Sequence, residues 1–388
     1  MNTKGIKKII ALSYYHPWIA GGGHRPHQLL IEDLLLHREV VFICASDTDI
    51  EKLITYYSNK EIYHNLSIYL HEGSGKIRCL KNSNNTSTSI GNDFDSLENL
   101  SDSFKPDYVR AHNPVESYLG YIEYLKTQNL MFIYDQMDYW QAFSVQPWGD
   151  SNVEDKYIHS ANLITTISKY LHDILPKQKP IKIIENAISD LFMKKIKAEP
   201  RGCNPASSNK HVLYIGAMWP FWFDWDLCFY LVANLPQYNF TFIGATHSTT
   251  DENDGVDTAR LGIKLGSHEN VTMIPEVSHY ELTNWLSKAD VGIIPFKVNE
   301  ITLACSPLKV FEYIAADLPV VSSALPEISD YPAVYTGKNY EEFRDKLLVV
   351  DKRNLPDSAR INLENFARTN TWNDRLLRLD NFILENQC

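Results

Sequence analysis

The sequence predicts an α/β protein made of two Rossmann-like, doubly wound domains facing a central cleft. Three observations predict it. Short apolar runs alternate with helical or polar stretches along nearly the whole chain. A glycine loop follows the first of these runs, and the alternation restarts after a polar stretch near residue 200. A length of 388 residues is enough for about two ordinary domains.

The first run, "KKIIALSYY", reads as a buried strand. It leads through "HPWIAGGGHRP" into "HQLLIEDLLLH", which has helical spacing, and then into a second strand, "EVVFICAS". "PDYVRAHNP", "LMFIYDQMD", "ANLITTIS" and "IKIIEN" continue the pattern, as expected for a parallel sheet covered by helices. Residues 81–99 are polar and Ser/Asn-rich and read as a surface insertion. The polar stretch 198–210 reads as an interdomain linker, so the first domain is placed at 1–197. Beyond it, "HVLYIG", "NFTFIG", "NVTMIP", "VGIIPF" and "LPVVSS" rebuild the alternation in a second domain, 211–370. Ligands of open parallel sheets sit at the carboxyl ends of the strands, so the loops after these runs are where chemistry is expected.

Composition narrows the function classes. A hydrophobic content of 44 % with 22 % charged residues supports a sizeable core. The net charge of −11 argues against nucleic acid as the main partner. Lys177, Lys179, Lys182, Lys194, Lys195, Lys197 and Arg201 form a local basic stretch, either a solvated face or a contact for anionic lipid or a diphosphate-linked acceptor. Cys44, Cys79, Cys203, Cys228, Cys305 and Cys388 are scattered, as reduced thiols of a cytosolic protein would be. The apolar run at the N-terminus is too short for a signal segment, and no run of about 18 apolar residues occurs. These features predict a soluble cytoplasmic protein, peripheral at the membrane at most.

The stretch "ACSPLKVFEYIAADLPVVSS", residues 304–323, carries the most information. Ser306 and Pro307 read as a helix start, with serine as N-cap and proline at the first helical position. The free N–H groups and partial positive charge of a helix N-terminus suit a phosphate, and Lys309 adds a full charge. Glu312 follows three residues later on the same side of the helix, where a carboxylate can accept hydrogen bonds from two ribose hydroxyls. The alternative is a capped helix with an ordinary Lys309–Glu312 salt bridge.

With its companions in order ("AGGGHRP", "PDYVRAHNP", "ITTISKYL", "IENAIS", "GAMWPFWFDWDL" and the C-terminal "TWNDRLLRLDNFI"), this stretch resembles the donor-site signature of the GT-B glycosyltransferases of group 1. It is most similar to the bacterial polysaccharide branch with teichuronic-acid-type and xanthan glucuronosyltransferase-type enzymes, where a "YD-x-x-D" segment and a "W-F-D-W" helix also occur. The resemblance implies transfer of a sugar from a nucleotide-sugar, expected to be UDP-linked, to a hydroxyl of a surface polysaccharide or lipid-linked saccharide. The nucleotide-sugar is then a co-substrate, and no other cofactor and no metal is implied. Ser306, Pro307, Leu308 and Lys309 would meet the diphosphate and Glu312 the ribose. Gly216 and Met218 would lie on the loop that meets the donor, and Val277 on the loop that meets the base. A C-terminal helix, 371–388, would return to the first domain. Many retaining members carry a second glutamate eight residues before the one matched by Glu312; here that residue is Ala304.

Transfer to a hydroxyl calls for a base. The "FIYDQMDYW" strand end offers Asp135 and Asp138, and the xanthan-type resemblance favours Asp138; the alternative is that Asp138 caps the next helix. In the glycine loop, Gly22 and Gly23 allow close backbone approach, and His24 and Arg25 are candidates for acceptor or diphosphate contact, against the plain reading of a tight turn. His16 is a further loop candidate, and Asn186 reads as structural at the domain hinge. Three D-x-D triplets, at 47, 93 and 224, are chance-level matches in a chain with 48 acidic residues, and no metal site is expected. Trp222, Trp225 and Phe229 fall on one helical face and read as core, while Phe221 and Phe223 have no assignment. Two other functions share this architecture: a nucleotide-sugar 2-epimerase and a non-catalytic sugar- or nucleotide-binding paralogue. An exported sugar-binding protein would need a leader.

Overall fold

A computed structural model of the chain describes residues 5–15, 23–45, 63–71, 76–81, 93–143, 150–199, 209–246 and 256–386. The chain divides into two units: 1–185 with 375–388, and 186–374.

The first unit is built on β1 (Lys8–Ser13), β2 (Glu39–Cys44), β3 (Leu66–His71), β4 (Ile77–Lys81), β5 (Tyr108–Ala111), β6 (Phe132–Gln136), β7 (Leu163–Thr166) and β8 (Ile181–Ile183). They lie in the order β4-β3-β2-β1-β5-β6-β7-β8. Every neighbouring pair is parallel except β3 and β4. Parallel strands are covered on both faces, which is why these segments read as continuous apolar runs and are buried along most of their length. The strand order reverses between β1 and β5, so the loops that open after these two strands flank the sheet's switch point.

The helix Trp372–Glu385 closes this unit. Its Leu376, Leu379, Phe382 and Ile383 pack with Ile6, Ile9, Tyr108, Ile133, Leu163 and Ile184. A buried charge cluster fastens the same helix. Arg38 Nη1 donates to Asp33 Oδ1 at 2.8 Å, and Arg110 Nη2 donates to Asp33 Oδ2 at 2.9 Å. Arg38 also donates to both carboxylate oxygens of Asp380. All four side chains are essentially inaccessible to solvent.

The second unit carries β9 (His211–Ile215), β10 (Asn239–Ile243), β11 (Val271–Ile274), β12 (Val291–Ile294), β13 (Val320–Ser323) and β14 (Val334–Gly337). The order β11-β10-β9-β12-β13-β14 is 3-2-1-4-5-6 in the unit's own count, all parallel, with its switch point between β9 and β12. The division between units falls after Glu185 rather than at residue 197. The reason is hydrophobic: the helix Asp190–Ala198 buries Phe192, Met193 and Ile196 in the second unit's core. Most of the expected linker (200–208) and most of the expected insertion (82–92) lie outside the described residues.

Removing one partner of a buried ion pair strands the other charge, at a cost of about 3–5 kcal/mol. Asp380→Ala should therefore lower the urea-unfolding free energy by an amount in that range. A loss under about 1 kcal/mol would mean that Arg38 is satisfied by Asp33 alone.

Candidate functional site

In the second unit the site grows from the helix Leu308–Ala315, which follows β12. Proline cannot extend a helix backwards, and Pro307, with ψ at 117°, is the N-cap. Ser306 is therefore not the cap, contrary to the sequence expectation, and its side chain makes no capping bond. Its hydroxyl is buried without a hydrogen-bond partner, while its carbonyl accepts from Asn186 Nδ2 at 2.7 Å. Leu308 is half-buried at the open end of the helix.

Lys309 lies one residue further on. Its Nζ is 4.4 Å from the centre of the Phe296 ring and 5.4 Å from that of Tyr214. No carboxylate or carbonyl pairs with it among the described residues. By exposed area the side chain is only half-buried, but the ammonium sits among protein atoms. Burial pushes it down to about 8, against the opposing influence of Cys305 and Glu312. Gly216, the residue after β9, makes room for it: its φ is +121°, and a Cβ there would lie 3.2 Å from Lys309 Cε.

Glu312 does not bridge to Lys309. Its Oε1 is 2.6 Å from His279 Nε2, and both side chains are nearly inaccessible. His279 was not singled out from sequence. The only hint was a histidine just after the loop that carries Val277, and Val277 itself is half-buried against the core. Met218 is fully buried in the core, so its side chain does not line a donor surface; its N–H donates to Ala245 O.

The aromatic run resolves by position. Phe223 is fully buried and bridges to Phe296, so it belongs to the core. Asp224 caps the helix Trp225–Asn234, which places Trp222 before the helix rather than on a shared helical face. Trp222 Nε1 donates instead to Ala217 O at 3.0 Å. Trp219 stacks against both Phe221 and Trp222.

In the first unit, Asp135 is the hub of a buried cluster at the end of β6. Arg25 Nε and Nη2 donate to its two oxygens at 2.8 and 2.9 Å, Thr165 Oγ1 donates at 2.6 Å, and His112 Nδ1 lies 2.9 Å away. Burial alone would raise this carboxyl, but Arg25 and His112 outweigh it and hold it well below the usual range. Asp135 is thus held as a buried, paired anion, and Arg25, 2 % exposed, donates to it and to Glu185 O. Burial, helped by Arg110 and Arg25 against the pull of Asp135, drives His112 down to about 4. A neutral His112 donates from Nδ1, which leaves a buried Nε2 acceptor with no partner among the described residues. His112 is not singled out by the sequence reading, although "RAHNP" ends a strand at the switch point. His24 precedes the helix Arg25–Leu35 without capping it, and burial with His112 and Arg25 lowers it to about 4. Gly23 lies in the turn before that helix; Gly22 and His16 are outside the described residues.

Asp138 is two residues past β6 and has the opposite surroundings. It makes no hydrogen bond or ion pair among the described residues and does not cap the turn Trp140–Ala142. Desolvation pushes its carboxyl up to about 7. Among the described residues, no three or more His, Cys, Asp or Glu side chains are placed to hold a metal, and no helix is long and apolar enough to cross a membrane.

The family described as "Glycosyl transferases group 1" matches residues 209–358, the segment that contains β9 to β14 and the Ser306–Glu312 stretch. The likeness to the group 1 glycosyltransferases is thus confined to this segment of the chain. TuaH of Bacillus subtilis (strain 168), named as a teichuronic acid biosynthesis glycosyltransferase, is 26 % identical over 264 residues. The match covers 62 % of this chain and 64 % of TuaH, less than two thirds of that relative's length. The fold is GT-B. A Rickettsia africae ESF-5 glycosyltransferase aligns with a TM-score of 0.66 at 14 % identity, covering 99 % of this chain and 100 % of its own. Sucrose-phosphate synthase of Thermosynechococcus elongatus aligns at 0.64 and 13 % identity over 98 % and 99 %. Anabaena HepE, solved in complex with UDP and glucose, aligns at 0.61 and 11 % identity over 98 % of each chain.

The Asp138 carboxyl keeps its proton up to about 7 in the folded chain and releases it near 4 when unfolded. The folded state therefore holds the extra proton between those values, and stability falls as pH rises through that window. Asp138→Asn, uncharged and of the same shape, should melt higher than the parent at pH 8 and show no advantage at pH 4. Equal melting temperatures at both pH values would contradict the desolvated carboxyl.

Proposed function

We propose that the chain transfers a sugar from a UDP-linked donor to a hydroxyl of a saccharide, either a growing surface polysaccharide or a lipid-linked intermediate. The observation that carries this reading is that, at the start of one helix, the Lys309 ammonium has no ion-pair partner and the buried Ser306 hydroxyl no hydrogen-bond partner among the described residues. A cation, a hydroxyl and the N–H groups of a helix N-terminus are the donors that a diphosphate calls for. The HepE complex supports uridine diphosphate as the nucleotide, and the name of TuaH supports a polysaccharide product.

In this reading the second unit binds the donor and the first binds the acceptor. Asp138 takes the proton of the acceptor hydroxyl, and that oxygen bonds to the anomeric carbon as the bond to the β-phosphate oxygen breaks. Lys309, Ser306 and the helix N-terminus stabilise the charge that develops on the departing UDP. Glu312 accepts from the ribose hydroxyls. His112 Nε2, a neutral acceptor, suits a sugar hydroxyl. A carboxyl with its proton affinity near neutrality fits the base role better than the fully paired Asp135. A cytoplasmic setting, where reduced thiols persist, suits a chain with no disulfide among its described cysteines Cys44, Cys79, Cys228 and Cys305.

A panel of UDP, GDP, dTDP, CMP and ADP should raise the melting temperature with UDP alone or best. Ligand at 100 times its Kd adds about 2.7 kcal/mol of stability. Lys309→Ala should abolish the shift, and in the parent the shift should weaken as pH rises past about 8, where the ammonium discharges. No shift with any nucleotide would sink the donor-site assignment. Asp138→Asn should reduce kcat about 10²–10⁴-fold while leaving UDP binding intact; an undiminished kcat would remove it as the base.

A further inference from the structure

We propose that His279 is a positioning residue: it holds Glu312 away from Lys309 and so keeps both groups open to a nucleoside diphosphate that carries a 2′-hydroxyl. The proposal rests on the assignment of Glu312 to the ribose.

Spacing alone favours a different arrangement. Lys309 and Glu312 stand three residues apart on one helix, where opposite charges pair readily. Glu312 lies within electrostatic reach of Lys309. A direct pair would spend the carboxylate on the ammonium and close both ends of the site. The structure has no such pair. Glu312 Oε1 is bound by His279 Nε2 at 2.6 Å, and Oε2 has no protein partner among the described residues.

His279 is built to hold this position. It opens the turn His279–Glu281, which is fixed by a reciprocal box: Ser278 N and Oγ donate to Glu281 Oε2 at 3.0 and 2.7 Å. Its ring lies nearly parallel to Phe192, with centres 4.5 Å apart at 22°, and Phe192 is fully buried. A carboxylate only accepts, so the hydrogen bond requires the proton on Nε2. Nδ1 is buried with no partner among the described residues, so no competing bond turns the ring. The stack fixes the plane of the imidazole, and the single bond fixes the carboxylate against it. Two adjacent hydroxyls of a ribose then meet an acceptor of set orientation, which a 2′-deoxyribose meets with one hydroxyl fewer.

The test is calorimetric titration of the full chain with UDP and with 2′-deoxy-UDP. The parent should prefer UDP by about tenfold or more, the value of one hydrogen bond to a charged group. Glu312→Ala should bring the ratio close to one; an unchanged ratio there would defeat the ribose assignment itself. His279→Phe keeps an aromatic ring for the stack on Phe192 and removes only the N–H donor. It should also bring the ratio close to one and should weaken 2′-deoxy-UDP as well, because Glu312 then pairs with Lys309. In His279→Phe/Glu312→Ala the 2′-deoxy-UDP affinity should recover to that of Glu312→Ala. His279→Gln, which restores an N–H donor, should regain part of the preference. A parental ratio in His279→Phe alongside a lost ratio in Glu312→Ala would overturn the role of His279 and leave that of Glu312 standing.

Discussion

The placement of the Tyr313 ring on Gly292 governs how the helix that carries Lys309 and Glu312 seats in the second unit. A Cβ at residue 292 would lie 2.6 Å from ring atoms of Tyr313, so the helix Leu308–Ala315 seats on β12 only because that strand has a glycine there. The Tyr313 hydroxyl then donates to Leu213 O or Ile293 O and accepts from Ile215 N, tying β9 to β12 across the switch point. Lys309 and Glu312 are carried on the same two turns of helix. A second close approach supports the other side: Gly244, with φ at +153°, packs against Gly216, where a Cβ would fall 1.9 Å from the Gly216 carbonyl oxygen. Close backbone packing beneath the site thus leaves Lys309 its space between two rings.

In the first unit, two carboxylates three residues apart are driven in opposite directions. Asp135 is dry but surrounded by Arg25, His112 and Thr165, and stays ionised. Asp138 is desolvated, with no counter-charge beside it among the described residues, and holds its proton to about 7. Environments that push neighbouring acids apart in this way divide the labour of a site between a structural anion and a titrating group. The cluster around Asp135 also explains how a guanidinium at the glycine loop is buried: burial at that place demands a fixed partner.

Much of the fold was legible because parallel strands covered on both faces leave uninterrupted apolar runs, and β5 to β13 all match such runs. β14 was harder, since "VYTG" is short, half-exposed and shaped by its pairing with β13. The helix carrying Lys309 and Glu312 was legible from its serine, proline and spacing, but its cap was misplaced by one residue because Pro307 itself takes the extended conformation. Pairings between distant segments were not legible. Nothing local to Glu312 announces His279, 33 residues away, and nothing in "AGGGHRP" announces that Arg25 belongs to Asp135, 110 residues on. Met218 misled because a residue just past a strand-end glycine can turn into the core as easily as toward solvent.

The charge cluster that fastens the last helix bears on how the chain is made. Arg38 and Asp380 are separated by 342 positions, and the whole of the second unit is synthesised between them. Emerging from the ribosome, the first unit would have its sheet strands early yet lack the helix that covers Ile9, Tyr108 and Leu163 and neutralises Arg38. Nascent domains generally fold as units from the N-terminus. Here the first unit is begun before the second and completed after it, so its buried arginine and apolar face wait on the synthesis of residues 372–385.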